Sequence, residues 1–154
     1  QVININESIK EAVEIVKVGA RAKDVDFIME LERDLPLLPL ISDQIQQVFI
    51  NILINAVDSM SEEPVKTKRK QIRVNSHLDS EKIILKFTDN GPGIEEQNFS
   101  KIFEPFYTTK KPGKGTGLGL WVSYGIIKSF QGNIEVESKP GEFTTFKISL
   151  PINT

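Results

Sequence analysis

The sequence predicts an α+β domain, a two-layer sandwich with a mixed, mostly antiparallel sheet of about five strands packed on three helices. Three observations carry this. Two long segments, Glu7 to Arg21 and Ser42 to Met60, repeat apolar residues at helical spacing, and a third helix follows a run of glycines near Gly119. Short strand-like segments are joined by the tight turns Asp79-Ser80 and Lys139-Pro140-Gly141, which makes their neighbours antiparallel. The chain has 154 residues, 39% hydrophobic and 26% charged, which suits one domain (1–154) with a real core. Helices stacked on one sheet are the economical way to bury such faces.

The elements follow in order. Val2 to Ile5 reads as a short edge strand. Between Glu7 and Arg21, Ile9, Ala12, Val13, Val16 and Ala20 share one helical face. Phe27 to Leu31 is a strand, and Leu35-Pro36-Leu37-Leu38-Pro39 forbids a helix after it. Ser42 reads as the N-cap of the second helix, whose apolar face is Ile45, Val48, Phe49, Ile52 and Ala56. Glu62 to Lys70 is a polar, basic loop. Ile72, Val74 and Leu78 alternate with Arg73, Asn75 and His77 in a half-buried strand, and Lys82 to Thr88 returns beside it. Glu95 to Ile102 reads as a short helix. A helix from about Thr116 to Phe130 is expected to bury Leu118, Trp121, Val122 and Gly125, and the strands Asn133 to Glu137 and Phe143 to Leu150 close the chain.

Bulk properties exclude several roles. A net charge of −2 argues against nucleic-acid binding by bulk electrostatics. The lack of cysteine removes disulfides and thiolate metal sites, and it suits a reducing cytoplasm. No apolar run approaches the length of a membrane span and no signal peptide is visible, so no direct membrane contact is expected. The start at Gln1, inside an apolar stretch, is expected to mark a piece of a longer protein.

Three local motifs carry chemistry. Glu104 to Gly119 runs from an aromatic anchor through lysines into alternating glycines at 113, 115, 117 and 119. Exposed N–H groups at a helix start and nearby positive charge favour a polyphosphate. It is not a P-loop: no Ser or Thr follows Lys114, and the upstream glycine is missing. Nor does the alternation give the spacing of a dinucleotide loop. The second motif, Asp89-Asn90-Gly91-Pro92-Gly93, is by itself a turn. It becomes functional only if Asp89 points into a pocket, where its carboxylate can accept from an exocyclic amine such as that of adenine. The third is a polar stripe, Gln47, Asn51, Asn55 and Asp58, on an otherwise apolar helix. A solvated face is the ordinary meaning of such a stripe. Against it, an unpaired amide on a packed helix costs about 1–3 kcal/mol, and amide oxygens suit Mg2+ bridging phosphates.

Taken in order, Asn51/Asn55, Asp89-x-Gly91-x-Gly93, Phe103-Glu104-Pro105-Phe106 and Gly115-x-Gly117-x-Gly119 closely resemble the N, G1, F and G2 boxes of the catalytic ATP-binding domain of sensor histidine kinases. That family belongs to the GHKL superfamily, with DNA gyrase, heat-shock chaperone and mismatch-repair ATPases. The likeness runs from about Val2 to Pro151, and Phe-Glu-Pro-Phe-Tyr-Thr-Thr-Lys looks like the nitrogen-regulatory type. The resemblance implies ATP and Mg2+ as cofactors. By it, Asn55 coordinates Mg2+ and Asn51 supports that site. Asp89 binds the adenine amino group, with Gly91, Gly93, Ile94 and Thr144 around the base. Phe103 and Phe106 anchor an ATP lid of about residues 103–117. Within it Thr109, Lys110, Lys111 and Lys114 meet the nucleotide, and one of these lysines reaches the β- or γ-phosphate. Gly115, Thr116, Gly117, Leu118 and Gly119 form the lid hinge and the phosphate-facing helix start. Asn51, Lys110 and Lys114 are the catalytic candidates.

The resemblance further implies transfer of the γ-phosphoryl group to a histidine on a dimerisation domain absent from this chain, then to a response regulator. The full-length protein would be a homodimer, possessing this domain as a monomeric unit in the cytoplasm. ATP-hydrolysing members of the superfamily carry a glutamate where this chain has Asn51, and an amide is a poor general base, so slow hydrolysis is expected. Asp58-Ser59 replaces a common Lys or Arg plus Tyr. Contact with a metal-bound water and exposure to solvent are both open to Asp58, and solvent is the preferred reading. Glu142-Phe143 replaces the usual small residues before the last strand, which bears on the shape of the adenine pocket. The sole histidine, His77, lacks the phosphoacceptor pattern and reads as a surface residue. Competing readings are an anti-sigma-type serine kinase, a non-catalytic ATP sensor and, least favoured, a gyrase-like ATPase.

Overall fold

Asn4 starts the first helix: its side-chain oxygen accepts the Glu7 N–H at 3.2 Å, satisfying one of the free donors of a helix start. The computed structural model describes residues 2–61, 69–107 and 119–152. In chain order these form β1 (Val2–Ile3), α1 (Ile5–Lys17), β2 (Val25–Leu31), β3 (Leu38–Pro39), α2 (Ser42–Ser61), β4 (Lys70–Asp79), β5 (Lys82–Asp89), α3 (Gly119–Ser129), β6 (Asn133–Lys139) and β7 (Phe143–Pro151). The main sheet has the order β2-β4-β5-β7-β6, with β2 parallel to β4 and the other pairs antiparallel. This is the α+β sandwich that the sequence predicts. The predicted edge strand is shorter than expected: β1 pairs only with β3, away from the main sheet, and Ile5 already belongs to α1.

One sheet face meets the helices. The register lines up Ile72 and Val74 of β4, Ile83, Leu85 and Phe87 of β5, and Phe146, Ile148 and Leu150 of β7 on that face, all buried. From α2, Ile45, Val48, Phe49, Ile52 and Ala56 descend onto them as predicted, and the Phe49 and Phe87 rings lie 5.6 Å apart. α2 packs against both α1 and α3. The opposite sheet face carries Arg73, His77, Lys86 and Lys147, so the predicted surface position of His77 matches its strand face. At the sheet edge Arg69 grips Asp26 through two N–H groups at 2.9 and 3.0 Å. That hydrogen bond and charge hold the Asp26 carboxyl below its ordinary value.

Four further expectations about the elements need correction. α1 stops at Lys17 rather than Arg21. The Gly19 N–H closes on Val16 O at 3.1 Å and its backbone turns extended, so a 3-10 turn, Ala20–Ala22, replaces the last helical turn. Ala22, not Ala20, is the buried one. In β4 the helix-facing set includes Ser76 at 4% exposure, while Leu78 near the strand end is 40% exposed. Ser76 is tolerated there because its hydroxyl donates to Asn6 Oδ1 at 2.8 Å and accepts the Glu32 N–H at 3.1 Å. Glu95 to Ile102 is no α-helix, only the 3-10 turn Glu96–Asn98 followed by a bend that buries Ile102.

The fourth correction concerns α3. Trp121 and Val122 are exposed, and a side chain at Gly125 would meet open space. The core side is instead Ser123 and Ile127, both 0% exposed, with Leu120, Ile126 and Phe130 partly buried. Gly-Leu-Trp-Val-Ser-Tyr-Gly-Ile-Ile is apolar nearly all round, so periodicity alone cannot phase it. Tertiary contact does so, through Ser123 and Ile127.

Candidate nucleotide site

The site is built along one edge of α2. Asn51, Asn55 and Ser59 stand four residues apart and therefore share a face, spanning about 12 Å at the rise of an α-helix. At one end, Asn51 joins α2 to the start of α3. Its Nδ2 donates to the Gly119 carbonyl at 3.3 Å and to Ser123 Oγ at 3.4 Å, and its Oδ1 accepts from Gln47 Nε2 at 2.7 Å. Both halves of this amide are therefore hydrogen-bonded, and two of its three bonds cross from α2 to α3. Asn55, in the middle, is half-buried and has no hydrogen-bond partner among the described residues.

At the other end Ser59 and Met60 meet the turn after β5. Asp89 ends β5 at 3% exposure on the helix-facing side, and its Oδ1 accepts the Gly91 N–H at 2.9 Å. The next residue points away and fixes the turn: Asn90 Nδ2 donates to Arg69 O at 2.7 Å, and its Oδ1 accepts the Gln71 N–H at 2.9 Å. Gly91 is needed for space, since a Cβ there would lie 2.8 Å from Asp89 Oδ1 and 3.0 Å from Met60 Cγ.

Gly93 is needed for conformation as well. Its φ is +79°, and an added Cβ would lie 2.5 Å from the Lys139 carbonyl oxygen. Gly93→Ala is expected to cost about 1–3 kcal/mol of stability from backbone strain. A thermal melt checks this; an unchanged melting temperature would show that the turn is not locked.

The β6–β7 hairpin closes the far wall. Thr144 is directly opposite Asp89 in the β5–β7 register and is 5% exposed. Its hydroxyl lies 3.0 Å from Ser138 Oγ, which accepts the Ile94 N–H at 2.7 Å and donates to Phe143 O at 2.6 Å. The Gly141 N–H reaches Pro92 O at 2.6 Å. Asp89, Gly91, Gly93, Ile94 and Thr144 are thus assembled by the turn and the hairpin together.

The aromatic pair divides. Phe103 packs its ring 5.5 Å from Tyr124 and 6.1 Å from Phe146. Phe106 is 71% exposed with φ +67°, so among the described residues Phe103 alone has the packing of an anchor. Thr109, Lys110, Lys111, Lys114, Gly115, Thr116, Gly117 and Leu118 lie outside the described residues. So do most of the predicted basic loop, 62–68, and the predicted first turn of α3. Asp58 departs from its expected solvent position: it pairs with Arg21 Nη1 at 2.8 Å and its side chain is 19% exposed.

Sequence reasoning missed Ser123, Ser138 and Arg21. Alternation along Ile134, Val136 and Ser138 placed Ser138 on the inner face and was the available signal. No local pattern marked Ser123 or Arg21.

Comparison with known proteins agrees with this fold. Residues 41–154 match the family described as histidine kinase-, DNA gyrase B-, and HSP90-like ATPase. The signal transduction histidine-protein kinase AtoS of Escherichia coli K12 is 40% identical over 155 residues, covering 99% of this chain and 24% of AtoS. Sporulation kinase E of Bacillus subtilis is 36% identical over 150 residues, covering 97% of this chain and 19% of its own length. The chain therefore spans about a quarter or less of these relatives. The solved catalytic domain of histidine kinase ThkA, in a nucleotide-free form, superposes with a TM-score of 0.83 at 29% identity, covering 99% of this chain and 95% of that one. Its fold and these likenesses place this chain in the histidine kinase-, DNA gyrase B-, and HSP90-like ATPase family, as an ATP-binding domain of the sensor histidine kinase type.

Proposed function

We propose that this domain holds Mg·ATP along the α2 edge and delivers the γ-phosphoryl group to a histidine on a dimerisation domain of the same protein. A response-regulator aspartate then takes the phosphoryl group. The observation that carries the reading is the continuity of the polar track: Asn51 meets Gly119 at one end, and Ser59 meets the Asp89–Gly91 turn at the other. Adenine belongs at the buried end, where Asp89 accepts from its amino group between Gly91, Gly93 and Thr144. The phosphates belong at Asn55, in the middle of the track, and from there toward the α3 end.

The residues fit a magnesium ion: Asn55 offers a hard amide oxygen that no protein donor engages among the described residues. When bound, Mg2+ neutralises phosphate charge. Asn55 would hold it, and Asn51, tied to Gln47, Ser123 and Gly119, keeps α2 and α3 in register. We also assign Lys110, Lys111 and Lys114 to the phosphate charge. An amide at position 51 is too weak a base to take a proton from water, which favours retention of ATP for transfer over hydrolysis. No helix among the described residues is long and apolar enough to cross a membrane. The reading places the domain in the cytoplasm, with its nucleotide and its regulator.

The test uses γ-labelled ATP with this chain, alone and with the remainder of its parent protein. Acid-labile label on a histidine of the remainder is expected. Acid-stable label on a serine would favour the serine-kinase reading, and rapid phosphate release by this chain alone would overturn the role given to Asn51.

A further inference from the structure

A carboxylate stands one helical turn beyond Asn55. Residues three apart on a helix are neighbours, so Asp58 would confront a phosphate chain held at Asn55 with negative charge. The fold answers that charge. Because α1 ends at Lys17, the 3-10 turn Ala20–Ala22 carries Arg21 across to α2, where its Nη1 donates to Asp58 Oδ1 at 2.8 Å. The carboxylate is sheltered, with its side chain 19% exposed, whereas the arginine side chain is 57% exposed. A guanidinium has five N–H donors in a planar fork that matches phosphate oxygens, and among the described residues only Nη1 is committed, to Asp58. The ion pair therefore leaves an oriented cation open to solvent at Asp58, one helical turn from Asn55.

We propose that Arg21 is a nucleotide-recognising residue that presents its positive charge to the phosphate chain, and that Asp58 is the positioning residue that holds the guanidinium there. The proposal rests on the placement of phosphates at Asn55 given above. Arginine suits the task better than lysine, because its fork bonds a carboxylate on one edge and phosphate oxygens on another. Such an arrangement reads phosphate number: each phosphate removed from the ligand removes charge for Arg21 to meet, and adenosine offers none.

Calorimetric titration of ATP, ADP and adenosine into the wild-type chain and Arg21→Ala tests it. ATP affinity is expected to fall about tenfold, as for loss of a partly exposed charged hydrogen bond. ADP should lose less, and adenosine should be unchanged. Arg21→Gln, which keeps the stem and loses the charge, should behave alike and serves if the alanine variant does not fold, with folding checked by the thermal melt. Equal losses for all three ligands, or undiminished ATP affinity, would overturn the proposal. A wild-type chain that bound adenosine but gained nothing from phosphates would instead sink the placement of phosphates at Asn55, and this proposal with it.

Discussion

Asn55→Ala is expected to abolish Mg2+-dependent ATP binding while leaving the fold intact. The two effects separate because of how Asn55 sits. It has no hydrogen bond to lose among the described residues, it is only half-buried, and alanine is the best helix former. Removing a direct metal ligand should cost at least as much as removing an outer-shell partner, roughly 100-fold in affinity. Titration with and without Mg2+, alongside a thermal melt, decides the matter. A variant that titrates like the wild type with Mg2+ present would show that Asn55 holds no metal. Asn51→Ala offers the contrast, since it cuts the bonds to Gly119 and Ser123 and would disturb the α2–α3 contact itself.

Asp89→Asn is expected to weaken every adenine ligand by about 10- to 100-fold, the equivalent of about 1.5–3 kcal/mol for a charged hydrogen bond. The asparagine oxygen can still accept the Gly91 N–H, as Asp89 Oδ1 does at 2.9 Å. The turn then survives, but the other carboxylate oxygen becomes an NH2 group. That donor faces the donor of the adenine amino group. ATP, ADP and adenosine should suffer alike, and inorganic triphosphate should be indifferent. If triphosphate binding drops as far as ATP binding, Asp89 does not read the base.

Local chemistry was legible in the sequence. α2 displayed both its faces, with Ile45, Val48, Phe49 and Ile52 set against Asn51 and Asn55. The Asp89-Asn90-Gly91-Pro92-Gly93 run gave both the strand end and the tight turn. Four-residue spacing and glycine requirements act within one or two turns of chain, so they can be read from one segment. Contacts across the fold could not. The partners of Asn51 in α3, Gly119 and Ser123, are 68 and 72 residues away in sequence. Arg21 and Asp58 are 37 apart. The face of α3 was misread for the same reason: with apolar residues on every side, its orientation is decided by what Asn51 and the sheet offer it. α1 was read too long because its apolar series continued to Ala20, while the turn at Gly19 overrode it.

The parallel pairing of β2 with β4, Val25 opposite Lys70, ties the completion of the site to distant parts of the chain. A parallel neighbour requires a crossover, and this one encloses the whole of α2. Closing so long a loop carries an entropic cost before its contacts repay it. The hairpins β4–β5 and β6–β7, which supply Asp89 and Thr144, close over short turns. Each hairpin can form early, but the wall around the base is complete only when β5 pairs with β7 and brings Asp89 opposite Thr144, a closure as non-local as the crossover. The edge of α2 that bears Asn51 and Asn55 is fixed only once the first strand of the sheet has found its place.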